Sequence, residues 1–64
     1  MILMEKAYKF KVRVQLPDKS QRDEVHIVSE ADTQFGESFA CGKCVRYYEG
    51  LKEKKEILDF RLYY

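Results

Sequence analysis

Two cysteines in the segment Cys41-Gly42-Lys43-Cys44 have a spacing that suggests chemistry. A Cys-x-x-Cys pair serves as a redox couple or as half of a zinc site. A redox pair belongs at the start of a helix that follows a strand, where the dipole lowers a thiol pKa, whereas this pair falls well inside a predicted helix. Structural zinc needs four ligands, and the chain offers two cysteines and one histidine, His26. A metal site through Cys41 and Cys44 would therefore need a second subunit, and the simpler interpretation is two small core residues one helical turn apart.

The remaining polar residues do not predict a catalytic site. The single histidine, His26, falls on a strand face expected to be solvated, with no serine or cysteine placed to form a nucleophile–base pair. The acidic pairs fall at the ends of predicted elements, where solvated carboxylates are ordinary. The three glycines are too scattered for a phosphate-binding loop. We therefore expect a protein that is not an enzyme and that holds no cofactor.

Two segments have the period-two alternation of strands with one buried and one solvated face. The first covers residues 7–16, where five apolar side chains alternate with Lys9, Lys11, Arg13 and Gln15. The second covers residues 57–63 and places its apolar side chains on one face, namely Leu58, Phe60, Leu62 and, just beyond, Tyr64.

A further strand is predicted over residues 21–29, after the turn-forming segment Pro17-Asp18-Lys19-Ser20. We expect it to pair antiparallel with the first strand as a hairpin. Its apolar residues Val25 and Ile27 are predicted on the buried face, with Glu24, His26 and Val28 on the solvated face.

The segment of residues 33–50 is predicted to be a helix. Asp32 or Thr33 can cap its start, and Gly50 is a natural stop at its end. At helical spacing, one broad apolar face contains Ala40, Cys41, Cys44, Val45, Tyr48 and Leu51.

These elements predict a single α+β domain over residues 1–64, with element order ββαβ. The helix crosses one face of a three-stranded sheet, and the third strand returns antiparallel beside the first, which gives the strand order 2-1-3. The alternative is a third strand that pairs parallel to the second.

Composition limits the classes of function. The 12 Lys and Arg residues nearly balance the 11 Asp and Glu residues, so the net charge is +1. A strongly basic nucleic-acid-binding protein is more asymmetric, so binding of that kind would depend on local clustering of charge. No apolar stretch is long enough to span a bilayer, and we find no pattern of a secretory signal. We expect a cytoplasmic protein with no membrane partner and reduced cysteines.

Two surfaces are candidates for binding. The solvated face of the first strand has a basic row that strands two and three extend, and basic sheets with aromatic side chains bind single-stranded nucleic acid in several modules. The candidate residues are Lys9, Lys11, Arg13, His26 and Arg61. The same row is also what keeps a solvated sheet soluble.

The second surface consists of apolar residues with no obvious place in the core, namely Ile2, Leu3, Phe35, Phe39, Tyr47 and Tyr63. The candidate interface residues among them are Phe35, Phe39 and Tyr63. Exposed phenylalanines one helical turn apart indicate a protein interface. The alternative is that the helix begins later and that both rings pack under the edge of the sheet.

The ββαβ order, with a hairpin that leads into the segment SEADTQFGESFA, resembles the pattern of many very short proteins of phages and mobile elements. Some of those proteins inhibit a host enzyme such as RNA polymerase, so the resemblance implies an accessory protein-binding role. The leading hypothesis is thus a protein-interaction module: a homodimer, an adaptor or an inhibitor of a larger protein. Nucleic-acid binding by the basic face and a dimeric zinc protein are the alternatives.

Overall fold

The computed structural model describes residues 4–63. It contains four elements in the predicted order: β1 (Glu5–Gln15), β2 (Gln21–Ala31), α1 (Gly36–Glu53) and β3 (Asp59–Tyr63). The predicted α+β fold is confirmed, because the strands form one sheet in the order β2-β1-β3 with both pairings antiparallel. The alternative with β3 parallel to β2 is wrong. Helix α1 packs on one face of this sheet.

The turn between β1 and β2 sets the register of the hairpin. The Lys19 amide donates to the Leu16 carbonyl and the Leu16 amide donates to the Ser20 carbonyl, both at 2.8 Å. Lys19 takes a positive φ of 72°, and the Asp18 side chain accepts a hydrogen bond from the Ser20 amide. This tight three-residue loop pairs Val14 with Arg22 and continues so that even-numbered residues pair with even-numbered residues throughout.

This register contradicts the predicted orientation of β2. Phe10 pairs with His26 and Val12 pairs with Glu24, so these β2 side chains lie on the side that α1 covers. Val25 and Ile27 lie on the open face instead, where more than half of each side chain is exposed. The expectation rested on the hydrophobic pattern of β2, whereas loop length fixes the register and thereby the face of every side chain.

Helix α1 begins later and ends later than predicted. β2 extends to Ala31, and neither Asp32 nor Thr33 is the cap; the residue before the helix is Phe35, whose amide donates to the Thr33 hydroxyl at 3.3 Å. The helix runs past Gly50 and ends where Lys55 adopts a φ of 64°. There the Glu56 amide donates to the Leu51 carbonyl and the Lys55 amide to the Lys52 carbonyl, the two bonds of a Schellman motif.

The core lies between α1 and the helix-facing side of β1. Tyr48 and Cys44 are the helix residues at its centre, and the Tyr48 ring stacks on Phe60 at 5.6 Å between centroids. Leu58, predicted on the buried face, precedes β3 and is 44% exposed. In residues 4–63, no helix is both long and apolar enough to cross a membrane. The buried residues are Phe10, Val12, Val14, Val28, Ala40, Cys44, Tyr48 and Ile57.

Candidate interaction surface

The outer edge of β2 has unpaired backbone groups over residues 21–29, whereas the amide and carbonyl of Ala31 bond to Glu30 and Thr33. Within residues 4–63, β2 pairs with β1 on one side and with no strand on the other. The Leu16 amide bonds to Ser20 and the Asp32 amide to Met4, so the even-numbered positions direct their backbone groups toward β1. The odd-numbered residues, which include Val25 and Ile27, therefore point their N–H and C=O groups outward. An eleven-residue strand with such an edge can accept another strand.

Apolar side chains flank this edge on the open face of the sheet. Val25 is 59% exposed and Ile27 is 57% exposed. They lie opposite Lys11 and Lys9 of the central strand, so the lysines and the β-branched residues form one layer. Edge strands of monomeric proteins usually carry lysine or proline, which prevents pairing with other chains. Here the lysines lie on the central strand, while the two central open-face positions of the edge strand are the apolar Val25 and Ile27.

Aromatic residues flank the same edge on the helix side. The Tyr47 ring stacks on His26 of β2 with centroids 4.7 Å apart, and Tyr47 remains 53% exposed. One helical turn earlier, the Lys43 ammonium forms an ion pair of 2.6 Å with Glu30 of β2. That ion pair lowers the pKa of Glu30 from its ordinary value, and it fixes this side of α1 beside the edge strand.

Phe39 extends this aromatic flank by one more turn. Phe39, Lys43 and Tyr47 are spaced four residues apart, which places them on one stripe of the helix. Because Lys43 and Tyr47 contact β2, Phe39 lies at the same side, and it is 60% exposed. We call the open edge with these side chains the β2 edge surface; its members are Val25, His26, Ile27, Phe39 and Tyr47.

The predicted interface residues do not form one surface. Phe35 and Phe39 are both exposed and belong to the helix side, so the alternative in which their rings pack under the sheet is wrong. Tyr63 is half-buried in β3, at the opposite edge of the sheet, and the Arg13 guanidinium lies 5.0 Å from its ring centroid. Ile2 and Leu3 lie outside the described residues. The prediction missed Val25 and Ile27, and it named Tyr47 as a residue without a place in the core but not as an interface residue. The length of the hairpin loop was the signal that could have identified the first two.

The predicted nucleic-acid residues divide between the two sides of the sheet. Lys9, Lys11, Arg13 and Arg61 share the open face, whereas His26 lies on the helix side. Arg13 is already engaged, because it donates two hydrogen bonds to Asp23, at 2.9 and 3.3 Å. The guanidinium holds the pKa of Asp23 below its ordinary value. A shallow depression of about 230 Å³ lies beside Arg13 and Arg61.

The two cysteines lie one helical turn apart, as predicted. Cys44 is fully buried in the core and Cys41 is half-buried at its border. Burial raises the pKa of the Cys44 thiol, which disfavours the thiolate that both metal binding and redox chemistry require. Within residues 4–63, no cluster of three or more potential metal ligands is present. A zinc site shared between subunits would need Cys44 to leave the core.

Comparison with known proteins places the chain in no established group. No protein-family model matches it. No curated protein and no solved structure is significantly similar to it.

Proposed function

We propose that this chain is a small non-enzymatic protein-binding module that holds its partner at the outer edge of β2. The observation that carries the proposal is the β2 edge surface. It combines a long unpaired backbone edge with exposed apolar side chains on both of its flanks. Binding by strand addition uses these two features, since backbone hydrogen bonds supply affinity and the flanking side chains supply specificity.

The placement of the apolar residues supports this role. A hairpin loop one residue longer or shorter would turn Val25 and Ile27 toward the helix and Glu24 and His26 toward solvent. The sequence instead combines a loop that turns them outward with a central strand rich in lysine. A local conflict of this kind between pattern and fold is expected where a surface serves a function.

The dimensions of the chain also support binding. Its Cα radius of gyration is 13.4 Å, whereas a compact domain of this length has a radius of about 11 Å. The hairpin contributes strongly to this extension, since both of its strands are eleven residues long. A cytoplasmic homodimer, an adaptor and an inhibitor of a larger protein would each gain stability by covering the exposed edge.

Capture from a lysate with matched variants tests the proposal. Tagged wild-type chain, Ile27→Lys and Leu58→Lys are immobilised, and bound proteins, including an untagged copy of the chain, are quantified by mass spectrometry. Leu58 is a matched control because it is also an exposed apolar residue but adjoins β1 on the side away from β2. We expect at least one species that binds wild type and Leu58→Lys but not Ile27→Lys. Equal capture by all three would contradict the proposal.

Nucleic-acid binding remains the second candidate, because four cations share the open face of the sheet. A titration of single-stranded RNA and duplex DNA at low and high salt tests it, with Lys9→Glu/Lys11→Glu as the comparison. Salt-dependent binding that this double variant abolishes would favour the nucleic-acid role. The ion pair of Arg13 with Asp23 weakens the candidate, since one of the four cations is already paired with a carboxylate.

A further inference from the structure

We infer that the partner at the β2 edge is a second copy of this chain, joined antiparallel to the first along β2 with His26 on the two-fold axis. This inference rests on the proposed function and names its partner. The resulting sheet would have six strands, with both helices on the same side.

The sequence of β2 is complementary to itself in this register. His26 is the midpoint of Gln21–Ala31, so pairing centred on it aligns the strand with itself and uses the open backbone groups of residues 23–29. Ala31 takes no part, because its amide and carbonyl already bond to Glu30 and Thr33. It places Val25 opposite Ile27 of the second copy, and the same pair recurs across the axis. All four side chains lie on the open face, where each is now exposed. Cross-strand pairs of β-branched residues stabilise antiparallel sheets.

The charges of β2 agree with the same register. Arg22 comes opposite Glu30 of the second copy, and this contact also forms twice. Within its own chain Arg22 pairs with Glu24 and Glu30 pairs with Lys43, so the contact would join two existing ion pairs into a network across the axis. Shifting the strands by two residues in one direction places Glu24 opposite Glu30, which is repulsive. Shifting them by two in the other direction places the apolar Ile27 opposite Asp23. A shift by an odd number of residues would place the outward backbone groups of one strand opposite the inward backbone groups of the other, so only even shifts allow hydrogen bonding. Among these, the register centred on His26 is the favoured one.

The helix side of the axis is also suited to a second copy. Tyr47 stacks on His26, so two such stacks would meet at the axis. The Tyr47 ring is half-exposed in the single chain and would be covered there.

The accessible surface of the chain is larger than that of a compact domain of the same mass. The chain exposes 5111 Å², whereas a compact monomer of 7.7 kDa exposes about 4,300 Å². The excess of roughly 800 Å² is close to what each partner buries in an interface of standard size. Two other backbone edges are open in the described residues. Residues 5–10 of β1 carry Lys6 and Lys9, which protect an edge, and the outer edge of β3 is only five residues long.

Sedimentation of the purified chain over a range of concentrations tests the inference. We expect a mass that rises toward twice 7.7 kDa with concentration. Ile27→Lys should abolish the rise and Leu58→Lys should retain it. A chain that keeps the single-chain mass at every concentration would overturn the inference. If such a chain still captured another protein through Ile27, the proposed function would stand without the dimer; if it captured none, both would fall.

A charge exchange tests the register itself. Arg22→Glu places glutamate opposite Glu30, and Glu30→Arg places arginine opposite Arg22, so each variant alone should self-associate roughly tenfold more weakly than wild type. Mixed together, the two variants form a heterodimer in which both pairs are attractive again. We expect the mixture to associate more strongly than either variant alone. A mixture that behaves as the average of its two components would overturn the register, and because mixing leaves each monomer unchanged, a folding defect cannot imitate the recovery.

Discussion

Substitution of Gly36 tests how closely the start of α1 approaches the sheet. A β-carbon at this position would lie closer than 3.0 Å to two atoms, the Ala31 carbonyl oxygen and the Tyr8 hydroxyl oxygen. The tyrosine ring can rotate away, but the Ala31 carbonyl is fixed, because it accepts a hydrogen bond of 2.9 Å from the Thr33 amide. Overpacking against backbone typically costs about 1–3 kcal/mol. We expect Gly36→Ala to lower the free energy of unfolding by about 2 kcal/mol, or the melting temperature by about 10 °C.

Gly42→Ala is the matched control. Gly42 lies in the interior of the same helix, and no atom lies within 4 Å of a β-carbon built there. Alanine is favoured over glycine in a helix by about 1 kcal/mol, so this variant should be more stable than wild type. Urea unfolding followed by circular dichroism measures both changes. A Gly36→Ala variant as stable as wild type would refute the close approach of α1 to the end of β2.

Three further predictions concern local features. Lys19→Gly and Lys55→Gly should each raise the free energy of unfolding by about 1 kcal/mol, because both lysines have a positive φ that glycine adopts without strain. Thermal melting measures this change, and a loss of stability would contradict the prediction. Tyr48→Phe should lower the stability at neutral pH by about 1 kcal/mol through loss of the 3.0 Å hydrogen bond to Glu24. Burial raises the pKa of Tyr48, so above about pH 10 this tyrosine loses its proton in the unfolded chain but keeps it in the folded one. The free energy of unfolding of the wild type should therefore decrease above about pH 10. An equally steep decrease in Tyr48→Phe would show that Tyr48 is not its source. The ion pair with Lys43 lowers the pKa of Glu30, so its contribution to the free energy of unfolding is present above the ordinary pKa of a glutamate and is lost as the pH falls. In Glu30→Gln, the free energy of unfolding should therefore decrease less steeply as the pH is lowered. An unchanged pH dependence would contradict this prediction.

Most of the architecture follows from sequence patterns. The alternation over residues 7–16 identifies a strand, and a helix that crosses one face of the sheet favours a third strand antiparallel beside it, although the sequence also left open a third strand parallel to the second. The face of β2 did not follow, because Val25 and Ile27 give a strong hydrophobic pattern that points the wrong way. Loop geometry determines the register, and a difference of one residue reverses both faces.

The candidate site was predicted only in part. Phe39 was identified correctly as an exposed residue, because at helical spacing it does not lie on the apolar face of the helix. Tyr47 was recognised as a residue without a place in the core, but its position beside the edge strand followed only from the structure, where its ring stacks on His26. The start of α1 at Gly36 was not predicted either. It depends on the close approach to Ala31 and Tyr8, a tertiary contact that no sequence pattern indicates.

Hydrogen exchange of the β2 backbone amides, measured at low and high protein concentration, tests the account most directly. In dilute solution, the amides of Glu24 and His26 should exchange slowly because they bond to β1, while those of Val25 and Ile27 should exchange rapidly. At high concentration, Val25 and Ile27 should become protected as a second β2 joins the edge. Rapid exchange of Val25 and Ile27 at every concentration would contradict the dimer, and protection of these two in place of Glu24 and His26 would contradict the register on which the β2 edge surface depends.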